Sequence, residues 1–413
     1  MTAPPRAGAF LPWLLAAALV DWIGTGLFLA VSTVFFVRVV GLSTVAVGSG
    51  LTVAALAAML VALPVGRMAD RFGPRRVLVS VELIQGVATA AYLTAHGWLP
   101  FLVVTFVVAV TQQAAPPLIQ ALVGEVTAAD RRTKVLALHR TVINVGISVG
   151  SLSAGLVLGL GLPHAFQLLL IADAVAFVVA AVILALLPIR TQVIRRPSGD
   201  RWAALRDTRL QAWTAYDAVL SLWQPILNVA FPIWLATRTD APLSLVGVLY
   251  TVHGVIAIAL QYPAGKLATT PTRAVRGYAG AALCLAAASV GFAMASESSA
   301  TFTVVALTVS VVLLTLGEIT QVGSAWTVSF TIAPPDRRNA YLAAFSLGRA
   351  FSRAVGPLLM TGAVLALGRA GWLTLAAVFA LAAVAPLLVT KQSALTSSTA
   401  NEHDDTARAH ERR

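Results

Sequence analysis

The sequence predicts an all-α membrane protein with twelve transmembrane helices in two pseudo-symmetric six-helix bundles. Three observations carry that expectation: an apolar composition, apolar runs of bilayer length, and a likeness between the two halves of the chain. Of 413 residues, 58% are hydrophobic, and the mean hydropathy is +0.84. Charged residues make up 11%, against about 25% in a typical soluble protein. A soluble fold of this size cannot hide so much apolar surface.

A bilayer core needs about 20 apolar residues per helix. Blocks of that kind fall near residues 9–37, 43–65, 77–96, 98–122, 135–160, 165–188, 211–237, 243–264, 277–296, 300–330, 340–366 and 371–390. The first block is too long for a signal peptide and is interrupted by Asp21, so it reads as a retained span. Helices are expected because each span must satisfy its backbone polar groups within itself. Barrel strands would alternate apolar and polar residues, and runs such as LLLIADAVAFVVAAVILALLP do not.

Lysines and arginines set the orientation. With the N-terminus in the cytoplasm, only Arg38, Arg238 and Arg369 face the other side, and only three of the 29 basic residues fall within spans. Both termini are then cytoplasmic, in the cell (inner or plasma) membrane. The net charge of +12 follows from this asymmetry and the anionic inner leaflet. Nucleic-acid binding is excluded, because no continuous basic face with interleaved aromatics forms. The expected partners are the lipid bilayer, a small-molecule substrate and protons, with the protein a monomer.

The longest polar connection follows span six. It divides the chain into an N-terminal bundle (1–188), a cytoplasmic linker (189–210), a C-terminal bundle (211–390) and a disordered tail (391–413). Within the linker, WAALRDTRL has the pattern of a short amphipathic surface helix. The halves echo one another. Asp-Arg-Arg precedes spans five and eleven (Asp130, Asp336), and a glycine follows each Asp by 20 residues (Gly150, Gly356). Two related six-helix halves are the organisation of a secondary transporter.

The segment GRMADRFGPRRVL, residues 66 to 78, packs charge into a chain that avoids it. It resembles the loop 2–3 signature of the major facilitator superfamily: Gly66, a two-residue gap, Asp70-Arg71, then Gly73 and the pair Arg75-Arg76. Pro74 stands where a basic residue is common, and YPAGKLATTPTRAVR is a degenerate second copy between spans eight and nine. The resemblance covers residues 9 to 390. It implies the major facilitator fold and a transporter working by alternating access. It also implies that the Asp70 cluster clasps the two halves together beside span eleven. The local expectation is that Gly66 ends span two and Gly73 permits the turn into span three.

Acidic residues within spans are costly in lipid and are functional candidates. Asp21, Asp173, Asp217 and Glu318 lie in spans one, six, seven and ten. Asp21 and Glu318 are expected to face one central cavity, since the resemblance places spans one and ten there. TLGEITQ resembles the Gly-Glu of span ten in drug/proton antiporters of the multidrug-efflux branch. Asp173 and Asp217 read either as functional carboxyls or as buried pairs, and Glu82 as a residue that snorkels to the surface. Arg349 and Arg353 share one face of span eleven. They would pair with these carboxylates, contact the solute, or lie at the inner surface. His253 and His139 read as core histidines or as proton relays. Trp22, Gln112, Gln113, Trp223, Gln224, Asn228, Tyr250 and Trp326 suit either a wide cavity or helix packing.

The sequence departs from efflux members in two places: span four lacks Arg, and Ser151 stands where Pro is usual. No Gly-rich phosphate loop with Lys is present. The one Asp pair, Asp404-Asp405, lies in the tail, so an Asp-rich metal enzyme is not expected. Cys284 is the single cysteine, which leaves no internal disulfide. The expected function is therefore proton-coupled export of a small amphipathic or cationic compound, with multidrug resistance as one outcome. Its energy source is the proton gradient, with no cofactor and no metal. Uptake of a nutrient or sugar, by proton coupling or uniport, is the alternative; an integral-membrane enzyme or receptor-like non-transporter is a more remote one.

Overall fold

The computed structural model describes residues 10–127, 129–162, 164–187, 206–268, 270–296, 299–334 and 338–384. The linker from 189 to 205 and the tail from 391 to 413 lie outside them. The described residues are helical and turn throughout. In the first half the helices are α1 (Leu11–Arg38), α2 (Thr44–Phe72), α3 (Pro74–Ala91), α4 (Trp98–Val126), α5 (Ala129–Gly159) and α6 (Ala165–Ala185). In the second half they are α7 (Thr208–Leu220), α8 (Phe231–Arg238), α9 (Ser244–Leu267), α10 (Pro271–Met294), α11 (Ala300–Ile332), α12 (Arg338–Leu359) and α13 (Arg369–Val384).

Span seven is α7 and α8 joined through a turn and the π-helical stretch Ile226–Ala230. Pro225 and Pro232 flank that stretch, and each removes a backbone donor from the regular ladder. A second π-helical stretch, Met360–Val364, ends span eleven. Among the described residues, eight helical segments are long and apolar enough to cross a bilayer, and Thr44–Met59, Ser244–Leu260 and Arg369–Val384 are shorter apolar helices. The remaining span, α12, divides its polar and apolar residues between opposite faces, with Arg349 and Arg353 on the polar one. Large apolar side chains such as Leu160, Val87 and Leu381 are exposed, as lipid-facing residues are.

Local signals set the helix ends. Ser43 caps α2 by accepting from the Ala46 N–H at 3.2 Å. Thr270 caps α10 through the Arg273 N–H. Gly73, at φ +85°, is the single residue between α2 and α3, a conformation a side chain resists. The expectation that Gly66 ends span two is corrected. The ladder runs through it to Phe72, because glycine weakens a helix interior without breaking it.

The two halves repeat one another in space. In the first, α1 crosses α5 and α2 packs on α4; in the second, α7 crosses α12 and α9 packs on α11. The glycines singled out by the repeat sit at the crossings. A Cβ on Gly150 would lie 2.0 Å from the Ile23 carbonyl oxygen of α1, and one on Gly356 would lie 2.4 Å from Pro225. Between halves, α5 packs on α9 and α2 on α12. Exchanging the halves turns one of these contacts into the other.

The halves meet at the end that carries the turn from α1 to α2. There Arg38 donates to the Ala236 carbonyl. The Leu358 N–H reaches Thr52 Oγ1 at 3.1 Å, and Gly48 lies against Thr361 and Pro357. Gly247 is in backbone contact with Ser151 and Gly155. At mid-height Thr251 Oγ1 lies 3.1 Å from the Ser148 carbonyl, and Gly254 lies against the Ser148 hydroxyl.

Candidate functional site

Directly below the Ser148–Gly254 contact, towards the 2–3 loop, lies a cavity of about 30 Å³ between the halves. Arg140, Asn144 and Ile147 of α5 line one side; His253, Gly254 and Ala257 of α9 and Glu318 of α11 line the other. His253 Nδ1 lies 3.0 Å from Thr315 Oγ1 and 3.6 Å from Glu318 Oε2. The Thr315 hydroxyl is 2.7 Å from the Val311 carbonyl, one helical turn back. That carbonyl can only accept, so the hydroxyl donates to it and His253 Nδ1 donates to Thr315. Glu318 Oε2 is buried without a hydrogen-bond partner. Arg140 is exposed to the cavity, and its charge acts on Glu318 without forming an ion pair.

Asp217, fully buried on α7, anchors a network inside the second half. It accepts from Tyr278 Oη of α10 at 2.9 Å and from Gln321 Nε2 of α11 at 2.5 Å. Trp223 Nε1 donates to Gln321 Oε1 at 3.3 Å, which fixes the amide orientation. Arg349 Nε stands 3.8 Å from Asp217 Oδ2. The alternative of a buried pair therefore describes Asp217. Arg353, one turn further along α12, is exposed and has neither a hydrogen bond nor an ion pair among the described residues. The shared face of α12 thus holds one paired and one unpaired guanidinium.

A third group lies inside the first half. Asp21 of α1, Glu82 of α3 and His139 of α5 line a cavity of about 10 Å³, walled by Leu14, Ala17, Leu78, Ile119 and Leu184. That is room on the order of one water molecule. Asp173 of α6 is buried, with Oδ1 unpartnered and turned towards the backbone of α1 at Gly24. Two expectations are corrected here. Asp21 and Glu318 line separate cavities. Trp22, the next residue on α1, packs against Gly146 of α5, which turns position 21 into the first bundle. Glu82 does not snorkel: it is 5% exposed, because its side chain points between α1 and α6 rather than along the lipid face.

Of the loop residues, Arg75 donates to the carbonyls of Leu184 and Ala185 on α6, a contact within one half. The Arg71 guanidinium lies 5.2 Å from the Phe72 ring centroid. Arg76 is exposed. The side chains of Arg67 and Asp70 lie outside the described residues, so the clasp remains an expectation. Among the aromatic and amide candidates, Tyr250 bonds to Asn228 Oδ1 at 3.2 Å and Gln113 to the Ala55 carbonyl at 3.3 Å, both packing roles. Trp326 is exposed and stacks on Phe330. Trp223 stands beside His253.

Sequence reading missed Arg140, Gln321 and Tyr278. Arg140 carried a signal, being one of the three basic residues inside spans. Gln321 and Tyr278 carried none, since neither type is unusual in a span.

Residues 14–357 match the Major Facilitator Superfamily. The chain belongs to that superfamily. It is 24% identical over 358 residues to the uncharacterized MFS-type transporter YdeE of Escherichia coli, covering 85% of this chain and 88% of the relative. It is 23% identical over 312 residues to the uncharacterized MFS-type transporter YhjO of Bacillus subtilis, covering 72% of each. Among solved structures, the fold is similar to a bacterial homolog of the human lysosomal transporter Spinster in an inward-facing, occupied conformation. That match has TM-score 0.74 and 14% identity, covering 94% of this chain and 98% of that one. The nucleoside transporter NupG matches with TM-score 0.74 and 12% identity, covering 92% and 99%. The twelve-span, two-bundle fold is thus the major facilitator fold, and the protein is a multi-pass membrane transporter rather than an enzyme.

Proposed function

We propose that this major facilitator protein is a proton-coupled secondary transporter of a small amphipathic solute, with Glu318 as the proton carrier. The observation that supports this most directly is the placement of Glu318 beside His253 in the cavity between the halves, one carboxylate oxygen buried and unpartnered. An ionised carboxylate without a partner costs several kcal/mol in such surroundings. A carboxyl there gains from taking up a proton when the cavity closes and from releasing it when water enters. His253 stands close enough to follow that change. With the cytoplasmic side assigned from the basic residues, the contacts between the halves at the α1–α2 end lie on the outer side of the cavity.

The Gly-Glu of TLGEITQ supports export in exchange for protons. In exchange, solute and proton compete for Glu318. Arg140 favours a second reading, cotransport, in which an anionic group binds beside the guanidinium together with the proton. Everted vesicles distinguish the two. Export in exchange predicts solute accumulation that needs an acidic lumen, with the proton gradient directed outwards, and that disappears with a protonophore. Accumulation that survives collapse of the gradient overturns proton coupling in either direction.

A further inference from the structure

We infer that the central cavity receives an anionic group of the solute between the guanidiniums of Arg140 and Arg353. This rests on the reading above that the cavity between the halves is the transport site. Arg140 lines that cavity and is exposed into it. Neither Arg140 nor Arg353 has a hydrogen bond or ion pair among the described residues, whereas Arg349 is held at Asp217. Arg353 follows Arg349 by one turn on the polar face of α12, and the charge of Arg140 on α5 is felt there. Among the described residues that line the cavity, only Glu318 is acidic, and no ion pair joins it to Arg140.

Unpaired guanidiniums converging in an apolar bundle repel one another, and an anion between them removes that repulsion. Their forked donors suit a carboxylate, sulfonate or phosphate, which can be gripped by two parallel hydrogen bonds. A cationic solute is opposed by both unpaired guanidiniums. Arginine stays charged at every working pH, so the site does not titrate away. Glu318 does titrate, and its ionised form repels the anion. Proton and anion therefore strengthen each other's binding, by the same factor in both directions. Binding together is the arrangement of cotransport rather than exchange, and it reverses the charge preference expected when Asp21 was placed in this cavity.

The test uses the full chain in nanodiscs of zwitterionic lipid, titrated calorimetrically with three probes of one shape: benzoate, benzamide and benzylammonium. Benzoate should bind about tenfold tighter than benzamide, the worth of a charge-assisted contact in a partly hydrated site, and benzylammonium weakest. R140Q and R353Q should each remove that preference while remaining monodisperse, and R140K should restore part of it. E318Q should tighten benzoate and abolish its strengthening between pH 8 and pH 6, leaving benzamide unchanged. Equal or tighter binding of benzylammonium overturns the proposal. So does a benzoate preference that survives in both arginine variants, or no benzoate binding at all. Loss of the preference when phosphatidylglycerol is added to the nanodisc would assign the site to a lipid headgroup and overturn a solute site. Proton-dependent flux that persists in E318Q would sink the coupling role of Glu318 while leaving the anion site standing.

Discussion

His253 Nδ1 stands 3.6 Å from Glu318 Oε2 across the boundary between α9 and α11, and Thr315 holds the imidazole in place at 3.0 Å. An acid and a base from two helices thus share one wall of the cavity between the halves, while Arg140 stands on the other. The two sides of that cavity move apart or together whenever one half rocks on the other.

Glu318→Gln should keep solute binding and lose the pH dependence of transport. The measurement is solute flux against external pH in proteoliposomes that contain a pH-sensitive dye. His253→Gln should shift the profile without flattening it. A Glu318→Gln protein with an unaltered profile would move the proton to the carboxyls of the first half, Asp21, Glu82 and Asp173.

Asp217→Ala should destabilise the second half by about 3–5 kcal/mol, because it leaves the buried donors of Tyr278 and Gln321 without their acceptor and Arg349 without its counter-charge. Removing Arg349 leaves the two hydrogen bonds to Asp217 in place and should cost less. Thermal unfolding of the two single variants and the double variant would give the coupling between them. Additive losses would mean that the 3.8 Å pair contributes nothing beyond its separate members.

Gly150→Ala should cost about 1–3 kcal/mol of stability, as overpacking of a close helix crossing does, because the new Cβ would lie 2.0 Å from the Ile23 carbonyl oxygen. Gly247→Ala creates a clash of similar depth with Ser151, but between halves rather than within one. It should therefore bias the halves apart at the α1–α2 end with little loss of melting temperature. Cross-linking of cysteines placed at Gly159 and Ser244, where a Cβ on Gly159 would lie 3.5 Å from the Ser244 Cβ, reports this: yield should fall in Gly247→Ala and hold in Gly150→Ala.

Acid should loosen the tie between α7 and α12. Asp207 accepts from the Leu210 and Arg209 N–H groups at 3.1 and 2.9 Å and from Tyr341 Oη at 2.9 Å. The Leu210 contact first, then Tyr341, holds its carboxyl below the usual carboxylate range. A depressed folded value means that the stabilisation is complete above the unfolded value of about 3.9 and fades as pH falls through the folded one. The melting-temperature difference between wild type and Asp207→Asn should be constant above about pH 5 and shrink to nothing in stronger acid. A difference that stays level down to pH 2 would show that the charge on Asp207 is not what matters.

The spans, their number and their repeat were legible because lipid imposes them locally. A run of about 20 apolar residues must close its own hydrogen bonds wherever it sits, and Gly150 and Gly356 mark crossings that any pair of tightly packed helices needs. Gly73 could be read as a turn because its backbone conformation is a property of that residue alone. Contacts between distant spans were not legible in this way. Asp21 and Glu318 have the same sequence signature, a carboxyl in the middle of an apolar run. The rotation of α1, set by Trp22 against Gly146, turns Asp21 into the first bundle, while Glu318 reaches the cavity between the halves. Asp217 and Asp173 are likewise alike in sequence. One has Tyr278, Gln321 and Arg349 around it, and the other keeps an unpartnered oxygen facing α1. Composition and periodicity determined which residues lie in the membrane, because that depends on the solvent each segment meets. Which carboxyl meets which partner was decided by how the helices rotate and cross, and that depends on side chains far apart in the chain.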